Sequence, residues 1–572
     1  MKTAHSSFPT VGQGPHLLGL LWLLAALLLL PAGPAHAQFP ATASQTLFAC
    51  NAPGNQFGVQ AFADGTGGAY SVWIDKRAGN NAGPGTALYA QHLTAAGVPL
   101  LAANGQRLFQ TAGKDIFGVK AVPWQSGMLV AWVQGGFGIG GDTVRCQYYD
   151  ATGAPQWAQP TVVAARTVAA GVIYVSPDAL NVLPTDSGAT ITHALAVGGG
   201  GDRLTFNRVS FAGKRRYANN QFQLALPFSS YYVTTSDGGN GFYVVGGSGG
   251  LGSALYAQHY DLFGTAWATG VDLTATGAKG RGNSLWRVAR DPANNLYAVW
   301  GSDSGDVFAV KVTPAGALGW AAPGYRTLST NPSRQSSPDA IWHNNALWVI
   351  WDDDLTPASF LSQYLQKVDA AGALAWPATG VLVNSLPGVY TYPKLAPSDN
   401  GAVMAFYSTA YGEGFRAQKI RPDASLAFAV NGVPLHNVVV DQPYVLDYVP
   451  VAQPNGSVQV FWASSGAAAT GQDICAGRVQ STGTLLGTAE RAAVALGFEV
   501  YPNPATAELR LRLPAGPAPT GLRLFDAQGR QVRAFAGAAA ALPLWGLPAG
   551  LYVLRATLAG REVSRRVVVV GE

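Results

Sequence analysis

A short apolar segment that ends in a bulky residue recurs along the chain at a nearly constant spacing. Its clear copies and two degenerate ones are Gly68–Trp73, Gly127–Trp132, Gly188–His193, Gly241–Gly246, Asn295–Trp300, Ala346–Trp351, Gly401–Phe406 and Gly456–Phe461. The eight copies lie about 55 residues apart. A repeat of this length is typical of propellers and other arrays, in which each unit buries its apolar faces against its neighbours.

A second signature follows each of these segments by 16 to 24 residues. It is a hairpin with a glycine turn, clearest in Asp150–Trp157, Asp261–Trp267 and Asp369–Trp376. Glycine accepts the positive φ of such turns without a steric penalty. Each unit therefore reads as about four short strands, and the 70 glycines of the chain mark its turns.

These patterns predict an all-β chain whose main domain is a β-propeller. Eight blades are favoured and seven are the alternative. A solenoid and a string of β-sandwiches are the competing architectures, but a free-standing sandwich needs about 100 residues.

The first strand of the repeat region predicts how the ring closes. The segment Gln45–Cys50 matches the last strand of a blade that has no beginning in the chain, and the eighth unit is truncated at that same strand near Glu490. We therefore expect the N-terminal strand to complete the last blade. Cys50 and Cys475 would then be neighbours and candidates for a disulfide, since a bond across so long a loop stabilises strongly. The alternative is that all three cysteines are buried thiols.

The N-terminus has the pattern of a secretory signal peptide. Lys2 precedes an apolar run from Leu17 to Leu30, which is too short to span a bilayer comfortably. Ala35 and Ala37 supply the small residues of a cleavage site, so cleavage is expected after Ala37. No second long apolar run follows, so we expect no transmembrane segment in the mature chain.

After Gly497 the glycine-rich repeats end, and short segments of alternating apolar and polar residues follow, separated by turn residues. This pattern predicts a small antiparallel sandwich. Three blocks occur there in order: Tyr501–Ala505, Leu524–Val532 and Leu547–Arg555. The tail closely resembles the type A C-terminal sorting domain of the type IX (Por) secretion system of Bacteroidota. The matching motif positions are Tyr501, Pro502, Asn503, Pro504, Asp526, Gly529, Arg530, Gly550 and Tyr552.

The resemblance implies export across the inner membrane by the signal peptide and across the outer membrane by the secretion machinery. The mature protein would be extracellular or attached to the outer surface of the outer membrane. An ordinary immunoglobulin-like accessory domain is the alternative for the tail. The repeats also resemble those of secreted Bacteroidota proteins with a W-x-D-x-R strand end, here Trp73–Arg77, and a Y-A-Q strand, here Tyr89–Gln91.

The predicted organisation is a signal peptide over 1–37, a propeller over 38–490, a linker over 491–497 and a sorting domain over 498–572. The formal charge of +5 comes mainly from this last part, which has nine arginines and five acidic residues. The propeller itself is neutral. A nucleic-acid-binding protein needs a clustered basic face, so no nucleic-acid partner is expected.

The repeats offer few residues for catalysis. Between Gln38 and Gly497 the only glutamates are Glu413 and Glu490, whereas glycosidases usually use a pair of carboxylates. No nucleophile-elbow, zinc-protease or phosphate-loop motif occurs, so no cofactor is predicted. Asp352, Asp353 and Asp354 form a candidate calcium site, for which a solvated turn is the alternative.

These observations favour a non-catalytic binding or adhesion protein whose ligand is a glycan or a protein. The alternative is a secreted, glycosidase-like hydrolase with an aspartate-based site.

Overall fold

Short runs of apolar and β-branched residues between glycine-containing turns form strands throughout the chain. The computed structural model describes residues 39–40, 42–77, 85–135, 143–165, 172–197, 201–218, 222–223, 232–247, 254–261, 264, 267–274, 286–302, 304–354, 361–386, 392–409, 415–436, 447–465, 471–485, 499–512, 520–526, 530–535, 541–558 and 561–570. The predicted signal peptide (1–37) and linker (491–497) lie outside these residues. None of the described segments forms an apolar helix of membrane-spanning length.

The strands of the repeat region are short and follow one another in chain order. They are β1 (Leu47–Cys50), β2 (Gln56–Ala63), β3 (Ala69–Asp75), β4 (Ala87–Leu93), β5 (Gln106–Gln110), β6 (Asp115–Trp124), β7 (Gly127–Gly135), β8 (Thr143–Tyr149), β9 (Thr161–Ala165), β10 (Val172–Thr185), β11 (Gly188–Val197), β12 (Gly201–Ser210), β13 (Phe222–Gln223), β14 (Tyr232–Ser236), β15 (Phe242–Gly247), β16 (Leu255–Tyr260), β17 (Val271–Asp272), β18 (Arg287–Arg290), β19 (Leu296–Gly301), β20 (Val307–Val312), β21 (Tyr325–Thr327), β22 (Gln335–His343), β23 (Ala346–Asp353), β24 (Ser362–Asp369), β25 (Val381–Asn384), β26 (Lys394–Pro397), β27 (Val403–Ser408), β28 (Phe415–Ile420), β29 (Val433–His436), β30 (Tyr448–Ala452), β31 (Val458–Ser465) and β32 (Gln472–Val479). A single 3₁₀ turn, Asp399–Gly401, connects β26 to β27.

In the described part of the chain these strands form eight four-stranded antiparallel sheets. Sheets 1 to 7 each contain four consecutive strands, from β2–β5 in sheet 1 to β26–β29 in sheet 7, and sheet 8 contains β30, β31, β32 and β1. The first strand of each sheet packs against the first strand of the next, and β30 of sheet 8 packs against β2 of sheet 1. The first strands therefore surround a central axis, and the predicted β-propeller is confirmed.

The N-terminal strand closes the ring, as predicted. β1 pairs antiparallel with β32, with Leu47 opposite Ala476 and Phe48 opposite Cys475. Just before β1, Phe39 is buried between sheets 8 and 1, and its amide donates to the carbonyl of Ala96 at 3.2 Å. The two ends of the repeat region are thus joined by main-chain hydrogen bonds and by an aromatic anchor.

The predicted disulfide between Cys50 and Cys475 is not formed, and all three cysteines are buried thiols. A register shift after Phe48 places Cys50 opposite Ile474. Cys50 packs in the core between sheets 8 and 1, whereas Cys475 packs in the core between sheets 7 and 8. Neighbouring positions on a strand pair point to opposite faces, so the two sulfur atoms lie on opposite sides of sheet 8.

The aromatic residues near the ends of the second strands fill the cores between sheets. Trp73, Trp132, Trp300 and Trp351 are completely buried. Several of these indole N–H groups donate a hydrogen bond to the side chain two positions later in the chain. Trp73 Nε1, for example, donates to the Asp75 carboxylate at 3.0 Å. The repeated aromatic position is therefore explained by packing between sheets.

The hairpin signature fastens several sheets to the next one around the ring. Trp320 of sheet 5 donates from Nε1 to the carbonyl of Ala370 in the turn of sheet 6, at 3.2 Å. Its ring covers Gly372, where an added Cβ would lie 2.9 Å from the indole and where φ is +91°. Equivalent indole-to-carbonyl bonds join Trp157 to Phe211, Trp267 to Pro314 and Trp376 to Pro422. Phe39 covers Gly97 in the same manner, so the N-terminal segment supplies this anchor for sheet 8.

The tail forms two further antiparallel sheets, which confirms the predicted small sandwich. Its strands are β33 (Glu499–Tyr501), β34 (Glu508–Arg512), β35 (Thr520–Phe525), β36 (Gln531–Ala534), β37 (Leu542–Pro543), β38 (Gly550–Leu558) and β39 (Arg561–Val569). One sheet has the order β33-β34-β37 and the other β36-β35-β38-β39. Leu509, Leu522, Leu524 and Leu554 are fully or almost fully buried in the core of the tail.

Phe39 and Phe48 provide a matched test of ring closure. Phe39 is 1% exposed and Phe48 is 43% exposed, although they lie nine positions apart on the same closing segment. Phe39→Ala should destabilise the propeller by about 3–5 kcal/mol, because it removes a buried aromatic ring and leaves a cavity. Phe48→Ala should change stability by less than about 0.5 kcal/mol. Thermal unfolding of both variants checks this, and equal melting temperatures would contradict the closure role of Phe39.

Gly372 and Gly65 separate the steric role of the turn glycine from its backbone role. Both have positive φ, but an added Cβ at Gly65 meets nothing within 4 Å. Gly65→Ala should therefore lose only about 1 kcal/mol from backbone strain. Gly372→Ala should lose about 1–3 kcal/mol more, because the methyl group overlaps the Trp320 ring. Denaturant unfolding measures the difference, and equal losses would show that the indole moves aside freely.

Candidate functional site

Five charged side chains from different sheets converge on the axis of the ring. They are Lys120 of sheet 2, Arg287 of sheet 5, Asp339 of sheet 6, Lys394 of sheet 7 and Asp447, which directly precedes β30 of sheet 8. We call them the channel cluster. Although they belong to five sheets, the charges of the other four members act on the pKa of Lys394, and those of Asp447 and Arg287 act on the pKa of Lys120. The cluster is therefore an electrostatic unit that the ring assembles.

The two carboxylates of the channel cluster accept hydrogen bonds from the inner edges of neighbouring sheets. Asp339 Oδ2 accepts from the amide of Leu395 at 2.8 Å, and its Oδ1 accepts from Arg287 Nε at 3.3 Å. Asp447 Oδ2 accepts from the amides of Gly58 and Val59 at 2.8 and 3.2 Å. An unpaired strand edge is open to further pairing, and these aspartates occupy its donors.

Lys394 likewise bonds to a main-chain group on the inner edge of the next sheet, sheet 8. Its Nζ donates to the carbonyl of Tyr448 and lies 4.7 Å from the centre of that ring. The Tyr448 hydroxyl lies 2.7 and 3.0 Å from the carbonyl oxygens of Tyr392 and Phe406, which share its single proton. Burial lowers the pKa of the Lys394 amine and raises that of the Tyr448 hydroxyl. These groups form a rigid, hydrogen-bonded seam between sheets 7 and 8.

Lys120 differs from the other members of the cluster. Within the described part of the chain, its ammonium group has no hydrogen-bond or ion-pair partner. Burial lowers the pKa of Lys120, and the charge of Arg287 acts in the same direction, whereas Asp447 opposes them. An ammonium group in such a place is poorly compensated by the protein itself.

The sequence contains a signal for this cluster that the repeat pattern alone did not reveal. In sheets 2, 5 and 6 the charged residue lies on the first strand. It pairs with the second-strand residue that comes just before the repeated tryptophan. The pairs are Lys120 with Ala131, Arg287 with Val299 and Asp339 with Ile350. Aligning the first strands of the repeats would have shown a charged side chain at the same position in these three sheets.

The aspartates proposed as a calcium site serve as structural acceptors. Asp352 and Asp353 are buried at the end of β23, and Asp354 is exposed. Asp353 accepts from Ser333, from Asn331 at 3.2 Å and from Trp351 at 3.4 Å, while Asp352 accepts from Gln363 at 3.1 Å. In the residues that the structure describes, no group of three or more His, Cys, Asp or Glu side chains is placed to hold a metal ion. Asp352 and Asp353 do not form the solvated turn that was the alternative, because both carboxylates are inaccessible.

The repeated histidines form internal pairs at the opposite end of the ring. His92 contacts Asp64 at 2.8 Å and His259 contacts Asp237 at 2.9 Å. Each aspartate also accepts main-chain amides of its own turn. Burial by itself raises the pKa of the Asp64 carboxyl. The hydrogen bonds from His92 and from these amides outweigh that effect, so the pKa of Asp64 lies below its usual value. This arrangement holds the turn between the first and second strands.

In the tail, Asn503 pairs with the outer edge of β39. Its Nδ2 donates to the carbonyl of Arg566 at 2.9 Å, and its Oδ1 accepts from the amide of Val568 at 2.8 Å. Ala505 continues this pairing with Val568 and Val570. The side-chain amide thus replaces a peptide group, and the segment beginning at Tyr501 is fixed along the last strand.

The other motif positions of the tail also have structural contacts. Asp526 accepts from the amide and guanidinium groups of Arg530 at 2.9 and 3.0 Å, which closes the turn between β35 and β36. The Tyr552 hydroxyl donates to the carbonyl of Pro548 at 2.8 Å, above Gly550. Gly529 lies outside the described residues. The exposed motif positions among the described residues are Tyr501, Pro502, Asn503, Pro504, Arg530 and Gly550.

Residues 499–570 match the family model of the secretion system C-terminal sorting domain. The tail is a type IX sorting domain. The sorting domain implies interaction with the type IX secretion machinery, and it implies that the protein is secreted or displayed at the cell surface. No curated protein matches the chain.

Similarity to solved structures is broad and distant. PorZ, a surface component of the type IX secretion system of Porphyromonas gingivalis, is 13% identical, with 90% of this chain and 70% of PorZ covered and a TM-score of 0.29. The BP39L lectin of Burkholderia pseudomallei is 13% identical, with 77% and 99% covered and a TM-score of 0.37. The NanB sialidase of Streptococcus pneumoniae is 10% identical, with 80% and 73% covered and a TM-score of 0.31.

The edge pairing of Asn503 can be tested directly. Asn503→Ala removes two hydrogen bonds, each of which contributes about 0.5–1.5 kcal/mol. We expect faster hydrogen exchange at the Val568 amide in the full-length protein. Arg510→Ala, which breaks only an exposed ion pair with Glu508, is the control and should leave that amide unchanged. Unaltered exchange at Val568 in the Asn503 variant would show that solvent replaces the side chain without loss.

Proposed function

We propose that this protein is a non-catalytic binding protein, exported by the type IX secretion system of a member of the Bacteroidota. The observation that carries the export half is the sorting domain at residues 499–570. The binding half rests on the propeller and on its channel cluster. We further propose that residues 1–37 are the signal peptide of the first export step, that 38–490 is the binding domain, that 491–497 is the linker and that 498–572 directs the second step.

The chemistry of the channel supports binding over catalysis. A hydrolase would need a carboxylate that is free to exchange a proton or attack the substrate. Both oxygens of Asp339 and Oδ2 of Asp447 instead accept structural hydrogen bonds, which leaves Oδ1 of Asp447 as the one channel carboxylate oxygen without such a bond among the described residues. The glycosidase-like alternative therefore lacks an available acid–base pair among the described channel residues.

The ligand is proposed to dock at the end of the ring where the second strands finish. The channel cluster lies near that end, since Lys120, Arg287 and Asp339 pair with residues that immediately precede the aromatic strand ends. At the opposite end, the turns are occupied by internal contacts such as the His92–Asp64 pair. A glycan or a protein remains the proposed ligand class.

Removal of residues 499–570 tests the export route. We expect the truncated protein to cross the inner membrane, lose its signal peptide and accumulate in the periplasm, because the machinery reads the sorting domain. Cell fractionation and surface protease treatment measure this. Arg107→Ala, at an exposed position on the outermost strand of sheet 1, is the matched control and should be exported normally. Surface display of the truncated protein would overturn the route.

A glycan array and a glycosidase and peptidase screen on the full chain separate binding from hydrolysis. The binding proposal expects a saturable ligand and no turnover. Turnover that disappears in Asp339→Asn or Asp447→Asn would favour the hydrolase instead. Thermal unfolding of both variants shows whether lost turnover reflects lost folding, since each substitution also changes a capping acceptor.

A further inference from the structure

The channel cluster carries an unbalanced charge. It contains three cations, Lys120, Arg287 and Lys394, and two carboxylates, Asp339 and Asp447. The carboxylates are committed to main-chain amides, and Asp339 also pairs with Arg287. One positive charge therefore has no counterpart within the cluster.

Some hydrogen-bond donors of the three cationic side chains have no partner among the described residues. Lys394 Nζ is held by the carbonyl of Tyr448, and Arg287 uses Nε toward Asp339 and Nη1 toward the carbonyl of Trp286 at 3.0 Å. Arg287 Nη2 and Lys120 Nζ have no such contact within the described residues. The Arg287 side chain is 31% exposed, so solvent and solutes reach it.

The size of the charge restricts the ligand. A monoanion would neutralise the cluster, whereas a phosphate dianion would leave a net negative charge beside Asp339 and Asp447. Guanidinium and ammonium groups together bind a planar carboxylate well, and their charge-assisted hydrogen bonds are stronger than neutral ones. Partial burial reduces the screening of this attraction by salt.

We propose that the channel cluster binds the carboxylate group of a ligand, with Lys120 Nζ and Arg287 Nη2 as the donors. This inference rests on the proposed binding function and specifies its chemistry. Lys394, Asp339 and Asp447 act as positioning residues that fix the inner edges of the sheets around the carboxylate. An acidic sugar and an acidic peptide side chain offer the same group, so the experiment has an arm for each.

The test is isothermal titration of the full-length protein with four small probes. Galacturonate is compared with galactose, and acetyl-glutamate amide is compared with acetyl-glutamine amide. We expect binding of at least one acid, with an affinity at least about 10-fold above that of its neutral counterpart. Raising the salt concentration should weaken this binding. Preference for galacturonate identifies a sugar source, and preference for the glutamate probe identifies a peptide source.

Lys120→Met provides the decisive variant, because it removes the charge and keeps a long apolar side chain. It should weaken binding of the acid by at least about 10-fold. Its melting temperature should be unchanged or higher, since an uncompensated ammonium group is removed from the channel. Lys214→Met, at an exposed turn of sheet 3, is the matched control and should bind like the parent.

Two results would overturn the inference. One is equal affinity for each acid and its neutral counterpart, including no binding of either. The other is undiminished binding of the acid to a folded Lys120→Met variant. If the array finds a neutral ligand that the Lys120 variant still binds, the carboxylate site fails while the binding function stands. If no probe and no array ligand binds, both fail.

Discussion

The pairing of β1 with β32 is the contact on which the ring depends. Without it, sheet 8 would lack its fourth strand, and the core between sheets 8 and 1 would lose Leu47, Ala49 and Cys50. The buried Phe39 adds side-chain packing to this pairing, in the same relation to Gly97 that Trp320 has to Gly372. The residues involved are separated by more than 400 positions, so closure fixes the chain ends against each other through a long-range contact. Arg77 strengthens the junction by donating to Cys50 Sγ at 3.0 Å and to Asp75 at 2.6 Å.

Closure also creates the inner surface. Each first strand has one edge bonded to its own sheet and one edge facing the axis, where main-chain groups need partners. Asp339, Lys394, Asn181 and Asp447 meet this need by bonding to the next sheet around the ring. Charges are thereby concentrated along the axis for a structural reason. The positive charge of Lys120 is not used to bond a strand edge, and this extra charge supports the proposed ligand site.

The sorting domain differs from the propeller in that most of its motif residues contact groups close to them in the sequence. Its core is built from leucines of a small sandwich, and its motif residues act close to where they occur in sequence, as Asp526 and Arg530 do across one turn. Asn503 is the exception, because it reaches the last strand of the domain. Local motifs of this kind make the tail recognisable in sequence, whereas the propeller repeats identify a fold and leave its ligand open.

The sequence by itself determined the repeat length, the four-stranded unit, closure by the N-terminal strand and the sorting tail. These features depend on turn chemistry and on apolar periodicity, which are local. It did not determine which face of sheet 8 Cys50 and Cys475 occupy, because one shift of register after Phe48 reverses the face. The environment of Asp353 was also hidden, since its partners Ser333 and Asn331 come from the start of the sheet. Aligned repeats place Lys120 and Arg287 at equivalent strand positions, but their convergence was decided by the tertiary structure, because only a closed ring brings distant repeats to one axis.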